Sequence, residues 1–180
     1  KDANGNTVQM NVAKTVNDLD KVKKWADKHN CYTNKSTGLH INVSVPNFSL
    51  QNLDYVKLAL LLGDKYILDQ YGRSTNTYCK SALDKVKGYI KQKPEDAKKL
   101  LDQMRGHLAD LATKAIHSGS TDKYTSINTK DGYIEFRSPG GDWLNENFDK
   151  IKSSLLRFTV ALDAALDPEK YRSEYLKKLY

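Results

Sequence analysis

Four stretches of this chain alternate apolar and polar residues with period two. Residues 38–45 place Leu39, Ile41, Val43 and Val45 on one side and His40, Asn42 and Ser44 on the other. Tyr133-Ile134-Glu135-Phe136-Arg137-Ser138 repeats the construction, with Ile134 and Phe136 on one face and Tyr133, Glu135 and Arg137 on the other. Such alternation marks strands that bury a single face. Just upstream, Tyr124 to Asn128 also alternates and sets Tyr124, Ser126 and Asn128 together. The intervening Thr129-Lys130-Asp131-Gly132 ends in an Asp-Gly pair suited to a tight turn, so the two runs predict a hairpin. If the first strand joins this sheet with matching faces, His40, Glu135 and Arg137 converge with Asn42 and Asn128. That set can bind a cation and an anion side by side. A merely wet sheet face, or a cross-strand ion pair worth under ~1 kcal/mol, accounts for the same residues.

The rest of the pattern is mainly helical. Thr7 to Ala13 alternates and predicts a strand, after which Asn17-Asp18 caps a helix with Leu19, Val22, Trp25, Ala26 and His29 as its stripe. A polar connector over residues 30–37 leads into the central strand, which Pro46 ends. Leu50 to Tyr71 predicts one buried helix. Leu53, Val56, Leu60 and Leu61 recur there at helical spacing, and Leu58, Ala59 and Leu62 widen the apolar arc. A polar loop over residues 72–78 holds Arg73. Helices follow over residues 81–91 and from Pro94 to about Ile116, the latter with Leu100, Leu101, Met104, Leu108, Leu111 and Ala112 as its stripe. Ser118 to Thr121 is a loop feeding the hairpin, and Ser138-Pro139-Gly140-Gly141 a turn after it. The next helix runs from about Leu144 to Leu166 with Ile151, Leu155, Phe158 and Leu162 inward. Asp167-Pro168 stops it, and a short charged helix ends the chain. Strands grouped with helices in this order predict an α+β domain spanning residues 1–180, an antiparallel sheet with one polar concave face and several helices on the other. Leu60 and Phe158 lie mid-stripe and are expected in the core.

Composition narrows the classes. With 180 residues, 39% hydrophobic and 28% charged, the chain has the make-up of a soluble domain with one core. No apolar run reaches the ~18–20 residues that cross a bilayer; Val56 to Leu62 is interrupted by Lys57, so no membrane partner is expected. The formal charge of +7 suits anionic partners. Its lysines nevertheless spread over helical patterns such as Lys21-Val22-Lys23-Lys24, which reads as solvated helix faces and not as a specific nucleic-acid surface. Cys31 and Cys79 lack metal or redox spacing. Free thiols in a reducing, cytoplasmic compartment are the simpler reading, with a single bridge between them left open. His29 falls near its helix end as a surface residue, His107 and His117 fall on or just after a helix with no special role, and Tyr78 and Tyr124 read first as packing at the sheet rim. Lys1 is no initiator, so the sequence reads as a piece of a longer polypeptide.

Gly38-Leu39-His40-Ile41-Asn42-Val43 resembles the Gly-Leu-His-x-His motif of the amidoligase family, within the glutamine synthetase and carboxylate-amine ligase superfamily. Gly72-Arg73 with Tyr78-Cys79 resembles that family's Arg and Tyr-Cys segment, and Lys123 to Asn128 with Tyr133 to Ser138 resembles its closing hairpin. The resemblance spans roughly residues 8–166 in order. It implies a glutamine synthetase-like catalytic fold lacking its N-terminal strands. It also implies an ATP-dependent, amide-bond-forming ligase that joins a small-molecule or peptide carboxylate to an amine through an acyl phosphate. His40 and Glu135 would hold Mg²⁺, Arg137 and Arg73 would be catalytic, and Asn42, Ser44, Tyr78, Lys123, Asn128 and Ser138 would bind substrate or nucleotide. Such chemistry uses metal and guanidinium to neutralise charge on transferring phosphate oxygens. Three departures stand out. Asn42 replaces the motif's second His, Lys123 stands where the family often has Arg, and no Glu-x-Glu pair occurs, with Gln9 and Asn11 on the strand where a carboxylate is expected. The resemblance therefore also admits a catalytically degenerate module with a structural or binding role in a larger protein. Similar segments occur in very large phage-encoded proteins, which would put the chain in host cytoplasm or virion.

Overall fold

The computed structural model describes residues 11–46, 48–92, 95 and 124–179. Six α-helices and three strands lie within them: α1 (Val12–Lys28), β1 (Ile41–Val43), α2 (Tyr55–Leu62), α3 (Asp64–Gln70), α4 (Ala82–Gln92), β2 (Ile127–Lys130), β3 (Tyr133–Phe136), α5 (Phe148–Leu166) and α6 (Arg172–Leu179). This is an α+β arrangement, an antiparallel sheet of order β1-β3-β2 packed against helices. The helix expected over residues 94–116 apart from Glu95, residues 7–10 of the expected first strand, and His107, His117 and Lys123 lie outside the described residues.

The hairpin forms as the pattern predicts. Ile127 pairs with Phe136 and Lys130 with Tyr133, and Gly132 turns the chain at a φ of 80°, a conformation that suits a residue without Cβ. β1 joins the other edge of β3 with Ile41 opposite Phe136 and Val43 opposite Ile134. Matching parity then puts all the apolar residues on one face. Val43, Ile127, Ile134 and Phe136 are buried there against α2 and α5, and the Phe136 and Phe158 rings stack with centroids 4.2 Å apart. Leu60 and Phe158 belong to this core, as do Ile151, Leu155 and Leu162 of the expected α5 stripe to the buried set.

Two helical expectations are corrected. The segment over residues 50–71 is not one helix. After a 3-10 turn at Leu50–Asn52, α2 begins at an Asp54 cap whose carboxylate accepts from the Lys57 backbone N–H at 2.8 Å. Gly63 then takes the left-handed conformation (φ 60°) and ends α2 before α3 starts. At the N-terminal side, Asn11 caps α1 by accepting from the Lys14 N–H at 2.8 Å, so Val12 and Ala13 are helical, not strand. The helix therefore enters earlier than Asn17-Asp18, and its rotation differs. Ala26 is buried on Leu144, Phe148 and Ile151, whereas Trp25 is 59% exposed and Val22 48%.

One buried carboxylate ties three elements together. Asp64, at the start of α3, accepts from the Ser81 hydroxyl (2.9 Å) and from the first-turn N–H groups of Ala82 and Leu83 in α4, and from the Ser126 hydroxyl before β2. Ser126 is thus fully buried and does not join Asn128 on the polar face as its parity suggests. At the opposite end, buried Lys57 donates from Nζ to the Asp167 carbonyl at 2.7 Å, beneath the Tyr175 ring of α6.

Candidate functional site

The sheet register builds the site on the face away from the core. Asn42, Glu135 and Asn128 stand abreast on the three strands. The Asn128 amide donates to Glu135 Oε2 at 3.2 Å. His40, two positions before Asn42, brings Nδ1 to 3.4 Å from Glu135 Oε1. Arg137, two positions after Glu135, donates from Nε to His40 Nε2 at 3.2 Å. The expected convergence of His40, Glu135 and Arg137 with Asn42 and Asn128 is therefore present. The Glu135 side chain is 16% exposed and that of His40 45%, so the cluster opens to solvent at its histidine end.

Donor and acceptor counting orders this chain of contacts. A guanidinium has hydrogens and no acceptor, so His40 Nε2 must offer its lone pair to Arg137. The neutral ring then carries its hydrogen on Nδ1, the nitrogen that lies 3.4 Å from Glu135 Oε1. Glu135 accepts a hydrogen from Asn128 on its other oxygen.

The backbone beneath Arg137 is fixed from both sides. Its N–H donates to the Ser126 carbonyl at 2.8 Å, and its carbonyl accepts from Arg73 Nη1 at 2.9 Å and from the Cys79 thiol at 3.1 Å. Arg73 Nη1 also reaches the carbonyls of Ser138 and Pro139. Arg73, which the resemblance makes catalytic, thus has its guanidinium engaged with backbone carbonyls. Arg73 is 7% exposed and sits under the 137–139 turn, where burial, and to a lesser degree the charge of Arg137, pulls its pKa down. Gly140 makes this fit possible, since a Cβ there would collide with the Arg73 guanidinium and come within 2.7 Å of the Thr37 carbonyl.

The remaining expected residues divide. Asn42 and Ser44 are exposed, Asn42 beside Glu135 and Ser44 just past the end of β1. Ser138 is completely buried, in step with Ile134 and Phe136, and its hydroxyl has no hydrogen-bond partner among the described residues, so it does not line the open face. Tyr78 and Tyr124 pack edge to face, centroids 5.6 Å apart, which agrees with the rim-packing reading of both. Cys31 and Cys79 are free thiols. The support that Cys79 and Gly140 give the site is not legible in the sequence: Cys79, quoted above only within the Tyr-Cys resemblance, directly follows a polar loop, and Gly140 lies in a turn.

The metal implied by the amidoligase resemblance can be tested on these donors. Among the described residues, no group of three or more His, Cys, Asp or Glu gathers to hold an ion. His40 Nδ1 lies 3.4 Å from Glu135 Oε1, and the other carboxylate oxygen already accepts from the Asn128 amide. Mg²⁺ prefers several oxygen ligands in octahedral array, and the described residues do not by themselves fit it. No family model, curated protein or solved structure matches this chain.

Proposed function

We propose that the chain is an amidoligase-type module, with the concave glutamine synthetase-like sheet of that family, whose polar face binds the carboxylate or phosphate of a small-molecule or peptide ligand within a larger polypeptide. One observation carries this reading. Arg137 is locked through Nε and through its backbone, while its Nη atoms have no protein partner among the described residues. A guanidinium held this way matches an oxyanion in two-pronged geometry. Asn42 in place of the motif's second His, and Arg73 drawn under the turn, favour a binding role over catalysis.

A second reading, the ATP-dependent carboxylate-amine ligase, is favoured by the meeting of three motif residues, His40, Glu135 and Arg137, at 3.2–3.4 Å. It needs further acidic ligands before it holds Mg²⁺ and ATP. Calorimetric titration with ATP, Mg²⁺-ATP and glutamate separates the two. The binding role expects Kd values of about 1 mM or weaker, near −4 kcal/mol, and no ADP release when carboxylate and amine are both supplied. Release of ADP that depends on both substrates would establish the ligase. Heat from none of the ligands, at any concentration up to 20-fold above that range, would remove both.

A further inference from the structure

We infer that this site takes its oxyanion without a divalent cation, with His40 acting as a positioning residue for Arg137 and not as a metal ligand. The inference rests on the reading of the polar face as a ligand site and specifies its chemistry. Each nitrogen of His40 already has a partner on the sheet, Glu135 at 3.4 Å and Arg137 at 3.2 Å. A metal on either nitrogen would have to displace one of them. On Nε2 it would meet the Arg137 cation and displace the bond that sets the ring's tautomer, and on Nδ1 it would displace the hydrogen that this tautomer places beside Glu135. Glu135 is likewise engaged twice, since Asn128 donates to the oxygen that His40 does not face. Hydrogens are donated from Asn128 to Glu135 and from Arg137 to His40, and His40 Nδ1 lies 3.4 Å from Glu135 Oε1. A neutral histidine whose Nε2 is the acceptor carries its hydrogen on Nδ1, here on the side of Glu135. Here that acceptor is turned on a guanidinium.

The consequence is a directional anion donor. With Nε held, the two-Nη edge of Arg137 is the edge left for a ligand, and a carboxylate or a phosphate fits it with two parallel N–H···O bonds. The exposed Asn42 amide stands on the neighbouring strand, beside Glu135. The trio carries no net charge when His40 is neutral, so the chain's overall charge of +7 sets the long-range preference for anions.

Three measurements on the full chain test this. Nitrogen-15 spectra of labelled histidine should show His40 as the Nδ1–H tautomer. Mn²⁺ at sub-millimolar concentration should leave its lines as sharp as those of His29. Inorganic phosphate, glutamate and ATP should bind equally well in EDTA and in Mg²⁺, with phosphate and glutamate separating the two sources of oxyanion. Arg137→Lys removes the two-pronged edge and should weaken binding about tenfold or more, and His40→Phe should weaken it several-fold in either buffer while the melting temperature stays near the parent's. Binding that requires Mg²⁺, selective broadening of His40 by Mn²⁺, or an Nε2–H tautomer would each overturn the inference while leaving a ligand site. No binding of any of the three probes in either buffer would instead remove the ligand-site reading on which it stands.

Discussion

Arg73 controls Arg137 without touching its side chain: the buried guanidinium donates at 2.9 Å to the Arg137 carbonyl and continues to those of Ser138 and Pro139. Three carbonyls of one turn converge on a single donor group, and Gly140 leaves the room for it. Arg73→Lys offers a point charge in place of a planar fork, and Arg73→Met offers no donor at all. Leaving buried carbonyls unpaired costs roughly 1–3 kcal/mol each, so Arg73→Met is expected to lose about 2–4 kcal/mol in urea unfolding, with Arg73→Lys between it and the parent. Equal midpoints for all three proteins would show that the turn holds itself.

Asp64 is the second internal anchor. Its oxygens accept from the Ser81 and Ser126 hydroxyls and from the Ala82 and Leu83 N–H groups, so it supplies a cap to α4 from another helix. Asp64→Ala strands those donors in the interior and is expected to cost about 3–5 kcal/mol. Asp64→Asn keeps one acceptor oxygen and should cost less. Thermal unfolding of the two variants checks the order; a loss below ~1 kcal/mol for Asp64→Ala would mean that water replaces the carboxylate.

Phe158 lies flat on Phe136, with ring planes 4° apart, and joins α5 to the middle strand of the sheet. Phe158→Ala is expected to cost about 3–5 kcal/mol, and Leu60→Ala about 2–5 kcal/mol, by lost contact and the cavity left behind. Chemical denaturation measures both. Losses under ~1 kcal/mol for each would place the core elsewhere.

What the sequence announced was what period two can encode. His40, Asn42, Glu135, Arg137 and Asn128 were legible as one face because parity on paired strands survives any reasonable register with the apolar side buried. The break at Gly63 was not, because a single Gly in a long apolar arc is compatible with continuation and only its left-handed backbone ends the helix. The start of α1 was misread because Val8, Met10 and Val12 alternate, whereas the deciding group is the Asn11 carboxamide on the Lys14 N–H. Arg73 and Ser138 were placed on the ligand side by resemblance. Their burial depends on a loop reaching a turn 64 residues further on, a contact that no local pattern specifies.

Cys79 supplies a prediction with a defined pH window. Burial pushes its thiol from an ordinary value of 9.0 up to about 11, against the smaller opposing pull of Arg73 and Arg137. The thiol also donates to the Arg137 carbonyl at 3.1 Å, a bond that the thiolate cannot make. The folded pKa is raised, so the folded chain keeps a proton that the unfolded chain releases. The stability associated with that proton is complete below pH 9 and is lost as the pH climbs through about 11. A two-unit difference amounts to roughly 2–3 kcal/mol at the alkaline end. Tyr71, raised by burial to about 12, also disfavours alkaline folding, but it does so equally with or without the thiol. The test is therefore a comparison of slopes: urea unfolding of the parent and of Cys79→Ala between pH 8 and 11.5. The variant starts lower because it leaves a cavity, yet it should lose less stability across the window, the gap narrowing by roughly 2 kcal/mol. Alkylation of the folded parent at pH 8 should label Cys31, which is partly exposed, well before Cys79. Parallel pH profiles together with equal labelling of the two thiols would mean that Cys79 is open to water and does not support the Arg137 carbonyl.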